Sequence, residues 1–342
     1  MNMLPHPDTN DDSYDLFCQL TTGYRMYFII NQAVQSGLID LLEQGALPTE
    51  ELLRRSGVRR EEGSRFLELL VATRLLIKQE DRYQLSSFSQ NYLSRQSPTC
   101  QRSVLVFEPV LMENWSKLGT VLHGGQGVLI EEKTTEEYSQ RLDLFQHAMG
   151  DAAAVRSVEL WSTLPDLPEH GTIIDIGAGD GVYLDRFLER YPAWQAVACD
   201  LPDVCQRLQQ RDPEGRICAV PCNILAQQEM NTFVAQHRAT ARVVLLSNLC
   251  HCYGPDENLA LLRQAGALLA DGGVVLLHDF FRDSSTFGAL YDLHLMVNTY
   301  NGRCFSTGEI EELLQQCGMR LQSSLPLPSG SLALLGVKQE QL

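Results

Sequence analysis

The sequence predicts an α/β protein: a doubly wound, mainly parallel sheet in the C-terminal half, preceded by a mainly α-helical domain with a winged-helix outline. Three observations carry this reading. TIIDIGAGDG (172–181) joins a continuous β-branched run to glycines at 177, 179 and 181, as in a strand covered on both faces that ends in a tight turn. From Gly171 onward, strand-like and helix-like segments alternate. Between Pro48 and Leu85, two helical patterns lead into a hairpin.

In chain order, apolar residues recur at threes and fours from Tyr14 to Leu42 (Leu16, Leu20, Tyr24, Tyr27, Phe28, Ala33, Val34, Gly37, Leu38), which predicts one long helix. Pro48 and Thr49 open a short helix that Gly57 closes, and a third helix runs from Glu61 to Thr73. Leu75 to Leu85 reads as two short strands around a charged turn. Val104 to Gly127 is an apolar helix ending in a glycine cluster, and Tyr138 to Leu160 is another, with Phe145, Ala148 and Met149 on one side. His123 and His147 on these helices read as surface or packed residues. The first strand of the sheet starts at Thr172, and Val182 to Arg190 follows with helical spacing. Gln195 to Asp200, Arg242 to Leu246 and Val274 to Leu277 are further strands, the last running into His278 and Asp279. The expected division is 1–103, 104–165 and 166–342.

Composition narrows the classes of function. The chain has 342 residues and 44% hydrophobic content, enough for two cores. Its 43 acids against 27 bases give a net charge of −16, which opposes a nucleic-acid partner. The predicted third helix mixes Arg59, Arg60 and Arg65 with Glu61, Glu62 and Glu68, so a DNA-binding regulator is the weaker reading of the winged helix. No apolar window is long enough for a membrane span, and Met1 to Asp12 lacks signal-peptide features, so a cytoplasmic protein with no membrane partner is expected. The ten cysteines lack paired CxxC sets and read as reduced thiols, Cys250-x-Cys252 included.

The chemistry concentrates at predicted strand ends. A dinucleotide loop, G-x-G-x-x-G, needs glycine at 182, where Val182 stands. The spacing is instead D-x-G-x-G-x-G from Asp175, with Gly177, Gly179 and Gly181, and a second acid, Asp200, ends the next strand. This suits a nucleoside ligand without a pyrophosphate, Asp200 being placed for ribose hydroxyls. A ligand-free glycine turn is the bland alternative, opposed by motif, helix and distal acid arriving in order. His251 follows the strand at 242–246, on the same sheet edge. Imidazole suits proton removal near neutral pH if a partner fixes its tautomer, and Asp279 is the candidate partner.

The glycine region resembles motif I of class I S-adenosylmethionine (SAM) methyltransferases. Taken together, MENW, the glycine pair after it, DIGAGDG, CDLPDV, NLCHCYGPDENLALLRQAGALLADGG and YNGRCFSTGEIEELLQQCGM resemble the small-molecule O-methyltransferase family of hydroxyindole, plant caffeate-type and bacterial natural-product enzymes. The resemblance spans nearly the whole chain. It implies a Rossmann-like class I methyltransferase domain, a winged-helix dimerisation domain, a homodimer, SAM as cofactor and a small-molecule methyl acceptor. By the same resemblance Gly177, Gly179, Asp200, Leu201, Asn223, Ile224 and Ser247 hold the cofactor. His251 is the general base and Asp279 its orienting acid. Phe145, Met149, His294, Met296 and Asn298 line the acceptor pocket.

Two departures bear on the acceptor. Cys252-Tyr253 follows His251 where the family usually has Asp-Trp, and Cys304 in NGRCF replaces a second acid. A related alternative is methylation at carbon, of a keto acid or tetrapyrrole-like acceptor, with a metal on His251, His294 and Asp279 or His278. A metal-free site is preferred, since the adjacent strand residues His278 and Asp279 face opposite ways. A SAM-binding regulator without catalysis is opposed by the retained histidine and acid.

Overall fold

The computed structural model describes residues 14–124, 135–212, 214–299 and 302–339, so Gly125, Gly127, Tyr300 and Asn301 of the motifs above lie outside the described residues. The chain forms two compact units. One comprises Met1–Met112 and Glu132–Val155, the other Glu113–Glu131 and Arg156–Leu342.

The first unit opens with α1 (Tyr14–Thr22), α2 (Tyr24–Gln35) and α3 (Leu38–Leu42), where the apolar period had predicted one helix. One break falls at Gly23, between α1 and α2, and the other at Gly37, whose φ of +73° is left-handed and ends α2. A spacing count treats such a glycine as one more small apolar position. Next come β1 (Leu47–Pro48), α4 (Thr49–Ser56), α5 (Arg60–Ala72), β2 (Leu76–Gln79) and β3 (Arg82–Leu85). The expected hairpin gains a third strand, in the order β1-β3-β2, because Leu47 and Pro48 pair with Tyr83 and Arg82. Buried Leu38, Ile39, Leu52, Leu67, Leu70, Leu76 and Tyr83 form the core of this unit. Along the chain α6 (Ser87–Tyr92), α7 (Arg102–Trp115), α8 (Leu118–Gly124) and α9 (Thr135–Thr163) follow; α8 belongs to the second unit, and the ends of α7 and α9 beyond Met112 and Val155 do too. His123 and His147 are exposed, each ring bonded to its own helix through the carbonyl four residues earlier.

The second unit is built on β4 (Thr172–Ile176), α10 (Val182–Arg190), β5 (Gln195–Asp200), α11 (Pro202–Arg211), β6 (Ile217–Pro221), α12 (Gln227–His237), β7 (Ala241–Ser247), α13 (Pro255–Leu268) and β8 (Leu269–Asp279). α14 (Thr286–Asn298), α15 (Thr307–Gln316), β9 (Met319–Pro326) and β10 (Leu332–Lys338) complete it. The seven-stranded sheet has the order β6-β5-β4-β7-β8-β10-β9. β6 to β8 are parallel, and β10 runs antiparallel to both its neighbours. The unbroken β-branched runs have their cause here, since Ile174, Val244, Leu246, Val275 and Leu277 are buried among Leu262, Phe305 and Leu314. The chain winds from β4 outward in both directions, so a crevice is expected beyond the carboxyl ends of β4 and β7.

Candidate active site

Five parallel strands deliver the candidate residues to one edge. Gly177 follows β4, Asp200 ends β5, Asn223 lies just beyond β6, Ser247 ends β7 and Asp279 ends β8. Gly177, Gly179 and Gly181 have φ of +79°, +57° and +78°, the left-handed region where a side chain adds strain. A Cβ on Gly177 would lie 2.8 Å from Leu249 Cδ1, whereas one on Gly179 would meet nothing within 4 Å. Gly177 is therefore shaped by packing and Gly179 leaves open space for a neighbouring group.

Asp175 is fully buried in β4, and neither carboxylate oxygen has a hydrogen-bond partner among the described residues. Burial, and then the nearby Asp200 charge, raise its pKa well above the usual carboxylate range. An orphaned buried carboxylate of this kind calls for a donor from outside the chain. Asp200 is held differently. One oxygen accepts from the Gly179 amide at 2.8 Å, and the other from the Leu201 amide at 2.7 Å. The lone pairs left over on this half-buried carboxylate can accept from hydroxyls.

Leu201 is 49% exposed, so it offers apolar surface beside Asp200. Asn223 turns its own loop, its Oδ1 accepting from the Leu225 backbone amide at 3.1 Å while its backbone amide donates to Glu229 Oε2 at 2.8 Å. Ile224 packs against the sheet core. Ser247 is buried, with Oγ 3.0 Å from His278 Nδ1 and accepting from Asn248 Nδ2 at 3.1 Å.

His251 sits in a short 3-10 turn, Cys250–Cys252, directly after β7. Its Nδ1 is 2.6 Å from Asp279 Oδ1, and its backbone amide donates to Asp279 Oδ2 at 3.3 Å. Both residues are buried. Burial disfavours the charged ring, yet the Asp279 carboxylate outweighs it and raises the His251 pKa well above the usual value. The pair thus has the geometry of a base whose tautomer is set by a carboxylate. The turn also separates the two cysteines of the CxC sequence, Cys250 being buried and Cys252 exposed.

His278, next along β8, faces elsewhere. It bonds Ser247 through Nδ1 and Ser331 through Nε2, at 3.0 and 2.9 Å. Burial and then the Arg156 charge push its pKa down to about 3. Both of its nitrogens are engaged. Among the described residues no group of three or more His, Cys, Asp or Glu side chains is arranged to hold a metal ion.

His294 and Asn298 lie one turn apart on α14 and are joined at 3.3 Å from Asn298 Nδ2 to His294 Nδ1. Tyr291, one turn earlier, stacks on His294 with centroids 5.4 Å apart and stands edge-on to His251 at 5.8 Å. This ring links His294 to the His251 pair. Met296 is half-buried and, two residues beyond His294, lies about 200° around the helix on another face. Phe145 and Met149 belong to the first unit, where they are 42% and 38% exposed and Phe145 meets Phe107 edge-on at 5.8 Å. Cys304 is buried, its amide donating to Asp292 Oδ1 at 2.7 Å.

Several residues at this site escaped the sequence reading. Tyr291 sits at helical spacing before His294, a signal that was present. Asn248, at φ +50°, and Trp115, which donates to His294 at 3.3 Å, stood only inside quoted motifs with no sign of their partners, and Tyr183, whose hydroxyl accepts from Asn248 at 3.1 Å, carried no signal.

Residues 145–324 match the methyltransferase domain family, and residues 18–95 match the O-methyltransferase dimerisation domain. The mitomycin biosynthesis 6-O-methyltransferase of Streptomyces lavendulae is 23% identical, over 91% of this chain and 90% of its own. The N,N-dimethyltransferase OxyT of Streptomyces rimosus is 26% identical over 78% of each chain. Among solved structures, the SAH-bound methyltransferase CalO1 of calicheamicin biosynthesis superposes with a TM-score of 0.79 at 21% identity, over 94% of this chain and 97% of its own. With more than half its length matched by the family model, the chain belongs to the methyltransferase domain family, with an O-methyltransferase dimerisation domain toward its N-terminus.

Proposed function

We propose that the protein transfers a methyl group from SAM to a hydroxyl of a small aromatic or planar molecule, with His251 as general base. The observation that carries this is the buried His251–Asp279 pair, 2.6 Å apart, on the sheet edge that bears the glycine loop. The residues present fit the cofactor. Asp175 offers an unpartnered buried carboxylate to an ammonium or amide donor, Asp200 offers free lone pairs to ribose hydroxyls, and Gly179 leaves room for the ligand. Leu201, Asn223 and Ile224 would flank the base, and Gly177, Gly181 and Ser247 would shape the floor.

When bound, SAM supplies a sulfonium methyl whose C–S electron pair stays on sulfur as the acceptor oxygen takes the carbon. His251 Nε2 accepts the hydroxyl proton, and the Nδ1–H to Asp279 bond stabilises the resulting imidazolium. The apolar surroundings and fixed alignment then supply much of the remaining acceleration. Phe145, Met149, His294, Met296 and Asn298 are the positions assigned to the acceptor. The exposed row of Tyr14, Phe17, Leu20, Tyr24 and Phe28 suits burial against a second copy of the chain, making a homodimer.

His251→Ala is expected to lower turnover about 100-fold while S-adenosylhomocysteine affinity, measured by calorimetry, stays within about twofold. An unchanged rate removes His251 from the mechanism. The relative OxyT, named as an N,N-dimethyltransferase, favours a second reading in which the acceptor atom is nitrogen. A neutral amine already presents its lone pair, so its methylation would lose little in His251→Ala.

A further inference from the structure

The hydrogen bonds around His294 determine which of its nitrogens carries the proton. Trp115 Nε1 lies 3.3 Å from His294 Nδ1, and an indole nitrogen can only donate. Asn298 Nδ2 reaches the same Nδ1 at 3.3 Å, and its orientation is secured because that Nδ2 also donates at 3.0 Å to the His294 carbonyl, which can only accept. Asn298 Oδ1 then faces Asn114 Nδ2 at 2.9 Å. Two donors therefore aim at Nδ1, which must present its lone pair. The proton is left on Nε2, for which no partner is found among the described residues. Protonating Nδ1 would set N–H against N–H, and burial followed by the His251 charge lower the His294 pKa as well. Tyr291, in ring contact with both histidines, places His294 beside the His251 pair.

We propose that Trp115 and Asn298 lock His294 as a neutral Nε2–H donor, and that this donor selects methyl acceptors carrying a hydrogen-bond-accepting oxygen or nitrogen in addition to the group that is methylated. The inference rests on the methyl-transfer reading and names the acceptor class for that site. A planar molecule with a ring carbonyl remote from its reactive hydroxyl is of this class. His251 takes the proton at one end, and His294 gives a hydrogen bond at the other. Asn298 and Trp115 are positioning residues in this arrangement, acting through His294.

The test uses full-length protein loaded with S-adenosylhomocysteine and two probe sets. One is the hydroxytetralones with the hydroxyl at each aromatic position. The other is the tetrahydronaphthols that lack only the carbonyl. The wild type is expected to bind the best hydroxytetralone about three- to tenfold more tightly than its partner, the worth of one neutral hydrogen bond. His294→Leu should abolish that preference, His294→Gln, which restores an N–H near Nε2, should recover part of it, and nitrogen-15 NMR should show the Nε2–H tautomer. Trp115→Phe should turn that signature into a tautomer mixture and shrink the preference. A wild type with no preference, a Nδ1–H signature, or a His294→Leu variant that weakens both probes equally overturns the inference. Failure of the methyl-transfer reading looks different, because S-adenosylhomocysteine then does not bind at all.

Discussion

The glycine loop and the α14 face belong to one unit but are assembled in contrasting ways. Around the loop, the groups that would meet a ligand come from neighbouring strand ends, and the Gly179 amide and Asp200 carboxylate that bond each other are 21 residues apart. Around α14, Trp115 and His294 are 179 residues apart, and Asn114 and Asn298 are 184 apart. Backbone geometry and one orphaned acid dominate the first region, while a relay of side-chain hydrogen bonds dominates the second. The lesson is that the loop region is a local property of the chain and the α14 region a global one. Substitutions should respond accordingly.

The sharpest way to separate the two halves is Asp279→Asn, which leaves the loop alone and deprives His251 of its carboxylate. Turnover is expected to fall about 100-fold with S-adenosylhomocysteine affinity preserved. The pH profile adds a sign. A general base works only when neutral, and the folded-state pKa of His251 is raised above 6.5, so the wild-type rate should fall as pH drops through a value above 6.5. Asp279→Asn removes the largest raising influence and leaves burial, which lowers a histidine pKa, as the leading one, so the acid limb should move to lower pH. A limb that stays in place assigns it to another group.

A smaller effect, confined to the other half, is expected from Gly177→Ala. A left-handed φ of +79° and a Cβ 2.8 Å from Leu249 should cost about 2 kcal/mol, seen as weaker S-adenosylhomocysteine binding or a lower unfolding free energy. If neither changes, the loop is more pliable than its packing implies. The smallest test sits at the seam, where His278 bonds Ser247 on one side and precedes Asp279 on the other. Its folded pKa is depressed to about 3, whereas the unfolded chain takes up the proton near 6.5. The unfolded state therefore binds more protons between these values, and stability should fall as pH drops below 6.5, by about 1.4 kcal/mol per unit. Urea denaturation across that range should show a shallower slope for His278→Asn than for the wild type.

The same contrast explains what was legible in the sequence. Four strands of the sheet, β4, β5, β7 and β8, were readable with the loop and α10 because periodicity and glycine placement act over a few residues, whereas β6, β9 and β10 were not read. The His251 and Asp279 pairing was readable as soon as both were placed at strand ends, since parallel strands bring their carboxyl ends together. The second break in the first helix escaped because Gly37 fits an apolar period and a left-handed turn equally well. β8 starts at Leu269 rather than Val274, since the charged and glycine-rich residues between them look like a turn although they continue the strand. Trp115 as a partner of His294 had no local signal at all, because the bond exists only after the segment from Glu113 packs with α14.

The bond between Asn114 and Asn298 has a practical corollary for redesign. A chimera that imports α14 from a relative, to borrow its acceptor preference, would carry new residues at 294 and 298 against an unchanged Asn114 and Trp115. The imported helix would then arrive with its ring nitrogens in an undefined protonation state. Exchanging residues 113–115 together with α14 keeps donors and acceptors matched, and treats two distant stretches of the gene as a single cassette.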